Sequence, residues 1–376
     1  MSELLLDEVR TWTFDHALPL WAERGVDRRH DGFLEELSFD GDATAVSFKR
    51  VRVICRQTYV FAHAAELGWS AGAELSRLGY EYMLDKARLG EGQWARVLSR
   101  EGRVIDPAPD LYDLSCVILA LAWRYRLSKD AAALKHAHAT LDFIQDRLRA
   151  PHGGYWSSDE QQSLKQNPHM HLTEACCAAF EASGERRFLD QANELVGLLR
   201  RRLFDGETLG EVFSPDWRRR SGALEPGHHF EWAWILSELG RLGGGDYAAE
   251  AAALSAFAEA ARDPQSGAVY DQVSEAGAPL ADTSRSWPNT ERLKAGLALF
   301  ELSGADTGAM VSGSARLLLD RYLATPVRGL WYDQFDGAGR MVAGAVPASI
   351  FYHLFLAFSE LLRVGPKMLA AQARAQ

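Results

Sequence analysis

Apolar and polar positions along the chain fall into a pattern of paired helices separated by short glycine-marked stretches. In RVRVICRQTYVFAHAAELG the apolar residues run nearly all round a helical wheel, which predicts a helix buried on every side. The segment after it, SAGAELSRLGYEYMLDKAR, carries one apolar stripe, the mark of a helix with a solvated face. The same order returns as DLYDLSCVILALAWRYRL then DAAALKHAHATLDFIQDRLR, and as MHLTEACCAAFEAS then RRFLDQANELVGLLRRRL. It returns again as HHFEWAWILSELG then YAAEAAALSAFAEAAR, and as TERLKAGLALFELSG then GAMVSGSARLLLDRYL. The last buried pattern, ASIFYHLFLAFSELLR, has no follower, and the helical pattern around Leu4 to Glu23 is free to serve as its partner.

Between the pairs stands a recurring motif: a glycine, a small or aromatic residue and a short β-like run. It occurs at Gly32, Gly92, Gly154, Gly210, Gly267 and Gly329, so neighbouring marks lie 56 to 62 residues apart. Six marks at one period are an internal repeat. Each repeat holds an inner and an outer helix, and the chain ends supply the missing partner instead of polar caps. The predicted fold is therefore all-α, an (α/α)6 barrel of six helical hairpins with short β-hairpins in the connecting loops. It is expected as one domain over residues 1–376, with 364–376 as a frayed tail.

Composition narrows the functional classes. The 376 residues are 47% hydrophobic and 24% charged, with no run of some 18 uninterrupted apolar residues, which argues against a membrane span. A net charge of −10 disfavours nucleic acid and anionic membranes as partners. Cys55, Cys116, Cys176 and Cys177 lie in apolar helical stretches with no CxxC pair, and the N-terminus does not read as a secretory signal; both fit a cytoplasmic protein with reduced thiols.

In a helical toroid, residues at one repeat phase converge on one mouth. One phase collects Arg56, Asp113, His171, His228, Trp287 and His353. HLTEA and HHFEWAW each place a glutamate three residues after a histidine, His171 with Glu174 and His228 with Glu231, which puts both side chains on one helical face. A carboxylate beside imidazole fixes its tautomer and tunes it as an acid or base near neutrality. Glu291, in SWPNTERLKA, occupies the slot of Glu231 one repeat later. His63, His169 and His229 are expected to pack or cap rather than react. Trp232, Trp234, Trp331 and Tyr332 are either core or a sugar-stacking surface, and Arg103 and Arg285 lie near the mouth by phase, where an anion is one partner. The chain has no P-loop, GxSxG or HExxH motif, and no GxGxxG after a strand, so neither metal nor cofactor is expected.

At PGHHFEW, NPHMHLTEA, CRQTYVFA, SWPNTE and SIFYH the sequence resembles the N-acylglucosamine 2-epimerase family, over the whole chain. The family's barrel agrees with the repeat. The resemblance implies His228 and His353 as acid/base groups, with Arg56 and His171 holding the O1/O2 end of a sugar and Glu231 as partner of His228. It implies Tyr112 and Trp287 as pocket lining; Asp113, Asn167, Glu174 and Glu291 complete the candidate substrate-binding set. Glu-Trp after the histidines and Tyr-His near the end are closer to the mannose isomerase branch. The expected reaction is a metal-independent aldose–ketose isomerisation of a free monosaccharide, of the mannose-to-fructose type, through ring opening and a cis-enediolate. Sugar 2-epimerisation is the alternative. A glycoside hydrolase using Asp113 with Glu231 or Glu291, or a non-catalytic sugar-binding toroid, ranks below both. The only partner expected is a small-molecule sugar, with a homodimer left open.

Overall fold

The computed structural model describes residues 1–158 and 163–375. Its helices are α1 (Glu3–Thr11), α2 (Leu18–Arg24), α3 (Val51–Glu66), α4 (Gly72–Tyr82), α5 (Leu111–Ser128), α6 (Ala131–Arg147) and α7 (Gln166–Ser183). They continue with α8 (Arg186–Leu198), α9 (Pro226–Arg241), α10 (Ala248–Ala260), α11 (Ser286–Ser303), α12 (Gly308–Leu317) and α13 (Phe351–Ala375), the last entered through a 3₁₀ turn at Ala348–Ile350. The all-round apolar segments form an inner ring: α3, α5, α7, α9, α11 and α13 each pack on the next, and α13 packs back on α3. The striped segments lie outside, α4, α6, α8, α10 and α12 each against its own inner helix, and α1 covers α13. The N-terminal segment thus completes the sixth hairpin, and an (α/α)6 barrel results.

Short antiparallel strands stitch the repeats together at one end. They are β1 (Glu36–Leu37), β2 (Phe48–Arg50), β3 (Val97–Ser99), β4 (Val104–Asp106), β5 (Leu164–Lys165) and β6 (Val212–Phe213), then β7 (Ala223–Leu224), β8 (Val273–Ser274), β9 (Ser284–Arg285), β10 (Gln334–Phe335) and β11 (Val346–Pro347). The strand leading into an inner helix pairs with the strand after the next glycine mark: β2 with β3, β5 with β6, β7 with β8 and β9 with β10. The last strand, β11, pairs with β1, Val346 opposite Leu37, so the first and last repeats are joined as the others are.

The marks need glycine for two reasons visible at Gly92. Its φ is +70°, and a Cβ there would stand 2.0 Å from the Ala139 carbonyl oxygen of α6. Gly210 departs from the pattern, since the left-handed residue of its turn is Gly206, at φ +103°. At the end of the chain α13 continues through Pro366 to Ala375, with Met368 buried and Gly365 against Leu6 of α1.

Candidate active site

The site is built in layers down the inner helices from their N-terminal ends. The sixth residue of each, counting α13 from Ala348, gives Arg56, Cys116, His171, Glu231, Glu291 and His353. One turn nearer the mouth lie Tyr112, Asp113, Asn167, His228 and Trp287, and one turn deeper lie Glu174, Trp234 and Lys294. The single phase read from the sequence therefore mixes two layers, because the loops before the inner helices differ in length. His171, His228 and His353 stay buried but not sealed, with side chains 5–6% exposed.

Each of these histidines has its own carboxylate. His171 Nδ1 is 3.1 Å from Glu174 Oε2, the bond expected within HLTEA. His353 Nδ1 is 2.8 Å from Glu291 Oε1, a pairing across two helices that no local spacing announces. His228 corrects the expectation. Its Nδ1 lies 3.0 Å from Glu211 Oε2, with Glu225 at 3.9 Å, while Glu231 turns toward His171 Nε2 at 3.9 Å. Glu211 immediately follows the fourth glycine mark, just ahead of β6, in a stretch that reads as structural punctuation; the signal that it faces the site is the pairing of β5 with β6, which is tertiary.

The indole of Trp287 joins the two expected acid/base groups, with its centroid 5.1 Å from the His228 ring and 5.6 Å from the His353 ring. Arg56 is buried, donates to the Tyr112 hydroxyl at 2.6 Å, and lies under the Tyr352 ring at 4.6 Å. Tyr112 also packs on His171 at 4.7 Å. Asp113 is less free than expected, since Arg52 takes its Oδ2 at 2.9 Å. Tyr352 donates to Glu174 Oε1. Below them Lys294, fully buried, pairs with Glu291 Oε2 at 2.7 Å and sits 4.1 Å from the Trp234 ring.

These surroundings push the titrating groups apart. Burial opposes charge on His228, but Glu211 and Glu225 overcome it and raise its pKa to about 10. Burial drives His353 well below the usual imidazole value, helped by the cations Arg56 and Lys294, and lowers His171 to about 4. Glu231 rises well above the carboxylate range, through burial and the neighbouring Glu291, and its Oε1 has no hydrogen-bond partner among the described residues. At neutral pH the site thus holds a protonated His228 and neutral His353 and His171, with Glu231 biased toward its protonated form. A protonated His228 donates from both nitrogens. Asn167, whose amide is 3.0 Å from Nε2, meets it best with the carbonyl oxygen turned inward, which also gives Oδ1 the partner it lacks.

Three groupings of side chains have ligand atoms within 4.8 Å of one another and the right chemistry for a cation: His171, Glu174 and Glu231; Glu231, Glu291 and His353; Glu211, Glu225 and His228. Lys294 already supplies a positive charge beside Glu291. The remaining expectations resolve as packing. His169 and His229 accept from the backbone N–H of Tyr155 and Leu209, each at 2.9 Å, and donate to the carbonyls of Lys165 and Glu225. Asn289 does the same in the next repeat, accepting from Val269 N–H and donating to the Arg285 carbonyl. His63 stacks on Trp123 at 4.2 Å. Trp232 and Trp331 are core, the first donating to Gln166 and the second stacked on Trp21, and Tyr332 packs on Phe39. All four cysteines are free and buried. Arg103 is exposed beside Glu101, and Arg285 is exposed on β9.

Comparison with known proteins gives this closed ring of six helical hairpins, with histidines and glutamates at one mouth, its class. The N-acylglucosamine 2-epimerase (GlcNAc 2-epimerase) family model matches residues 32–357, and the chain belongs to that family. It is thus an enzyme of the sugar epimerase and isomerase class. A mannose-6-phosphate isomerase of Rhizobium meliloti (strain 1021) is 33% identical, over 94% of this chain and 96% of its own length. A cellobiose 2-epimerase of Bacteroides fragilis is 24% identical, over 88% and 91%. A solved D-mannose isomerase superposes with a TM-score of 0.87 at 20% identity, covering 96% of this chain and 98% of its own, which shows the shared fold. No helix among the described residues is long and apolar enough to cross a membrane.

Proposed function

We propose that the protein is an aldose–ketose isomerase acting on a free monosaccharide of the mannose–fructose type, with His228 and His353 as the acid/base pair. The observation that carries this reading is the opposite tuning of two imidazoles that flank one indole: His228 is held protonated and His353 neutral.

Each group then has one task. A closed aldose ring opens when His228 protonates the ring oxygen and a base takes the O1 proton. His353, its Nδ1–H directed at Glu291, presents Nε2 as the base that removes the C2 proton. Arg56 is a fixed cation for the oxyanion of the cis-enediolate, the charge a metal supplies in other isomerases. Returning the proton to C1 gives the ketose. His171 and Tyr112 lie beside Arg56, where O1 and O2 would be held, and Trp287 offers the apolar face of a sugar a flat surface.

Epimerisation at C2 is the second reading. It needs proton donors on both faces of C2, and two separate imidazoles packed around Trp287, His228 and His353, favour it as much as isomerisation. Proton NMR of the enzyme with mannose, glucose and fructose in heavy water separates the two. Isomerisation yields ketose with deuterium entering C1; epimerisation yields only the other aldose, with deuterium at C2. Absence of both conversion and exchange with every sugar would discard both.

A further inference from the structure

The residue least explained by sugar chemistry is the lysine at the bottom of the site. Lys294 is the ninth residue of α11, one turn below Glu291, with no exposed surface. An ammonium in that position is costly unless its charge is used. Its Nζ lies 2.7 Å from Glu291 Oε2, opposite the Oε1 that receives His353 Nδ1–H at 2.8 Å. Its other face rests on the Trp234 ring at 4.1 Å. Glu174 and Glu231 also direct their charge at it. One carboxylate, Glu291, thus meets a cation from below, as a close ion contact without hydrogen-bond alignment, and offers its other oxygen upward to an imidazole.

We propose that Lys294 is a positioning residue for the reaction: by pairing with Glu291 it keeps that carboxylate ionised and fixed, which holds His353 in the Nδ1–H tautomer with Nε2 bare toward the sugar. The inference rests on the reading of His353 as the C2 base. The reason is chemical. A buried Glu291 without a cation would take up a proton, and a neutral carboxyl can donate to Nδ1 as readily as accept from it. The imidazole hydrogen would then move to Nε2, the atom that has to remove a proton. Lysine suits the task because it sets a compact point charge over the Trp234 ring, beside Glu291, and stays protonated there at neutral pH.

Four substitutions test this together, read by kcat and KM separately and by 15N NMR of the histidine rings. Lys294→Met is expected to lower kcat by roughly tenfold or more with KM within about twofold, and to move the His353 hydrogen toward Nε2. Lys294→Ala leaves a cavity of the right charge preference, so added n-propylamine restores kcat in this variant and not in the wild type. Should the lysine variants fail to fold, Glu291→Gln, close in shape, decides: it is expected to lower kcat at constant KM. Unchanged kcat in Lys294→Met or in Glu291→Gln overturns the proposal, as does a loss in Lys294→Ala that the amine cannot reverse. His353→Ala keeps the two questions apart. If that variant stays active the base assignment has failed; if it is inactive while the Lys294 variants turn over normally, only the role of Lys294 has.

Discussion

The barrel has two mouths, both lined by charged and aromatic side chains, and only one is equipped for chemistry. At the N-terminal ends of the inner helices stand Arg56, His171, His228, Glu231, Glu291 and His353. At the C-terminal ends a cavity of about 200 Å³ is lined by Trp123, Arg126, Glu181, Glu238, Arg241, Glu360 and Arg363, among others. The two nearly touch. Glu174 and Trp234, one turn below the catalytic layer, line the second cavity as well. What differs is the state of the groups. At the second mouth each arginine is neutralised: Arg126 and Arg241 by Glu181 at 3.1 and 2.9 Å, and Arg363 by Glu360 at 2.7 Å and Glu301 at 2.6 Å. Those pairs are part-exposed, so each is worth at most about 1 kcal/mol. At the first mouth the carboxylates are buried and shared, Glu231 has an oxygen with no hydrogen-bond partner among the described residues, and the imidazoles are displaced in opposite directions. Polar density alone does not mark a site; unequal and incomplete pairing in a dry place does.

The comparison is open to direct attack. The largest expected effect is at His353: replacement by alanine should cut turnover by about 10²–10⁴, with the melting temperature little changed. Near-normal turnover would end the contrast at once. Next comes Glu211→Gln, which removes the main support for charge on His228. Its pKa should fall toward the unperturbed imidazole value, and kcat at neutral pH should drop by roughly tenfold; kinetics on the purified variant would show it.

In the wild type the same argument fixes a pH profile. His228 is active as the protonated acid and His353 as the neutral base, so activity should be level across neutral pH and fall as pH rises through about 10. The stability that charged His228 gains from Glu211 should follow: its folded pKa is raised, so the gain is fully present below the unfolded value and lost as pH climbs to about 10. A rate profile with a basic limb near 6.5 would contradict the assignment. The smallest effect is reserved for the other mouth. Arg126→Ala should change stability by at most about 1 kcal/mol and leave kcat unaltered, measured by thermal melting and initial rates. A large loss of turnover there would mean that the two mouths are not independent.

The repeat was legible because each inner helix must hide every face while each outer helix hides one, and such patterns survive without any tertiary knowledge. The histidines and Arg56 were legible because the ring returns one residue per repeat to the same mouth, within one helical turn of depth. Within HLTEA even the His171–Glu174 bond could be read, being three residues apart on one helix. The same rule failed in HHFEWAW. Glu231 is on the same helix as His228, but a nearer carboxylate arrives from the loop that opens the same repeat, 17 residues earlier, and distance in space overrides spacing in sequence.

By itself, then, the sequence determined the helical hairpins, their number, the closure by the N-terminal helix and the residues available at one mouth. The tertiary structure alone decided which carboxylate meets which histidine: Glu211 with His228 through the pairing of β5 and β6, and Glu291 with His353 across α11 and α13. Periodicity is a property of one helix and can be counted along the chain, whereas pKa values depend on burial and on neighbours a few ångströms away that belong to other helices.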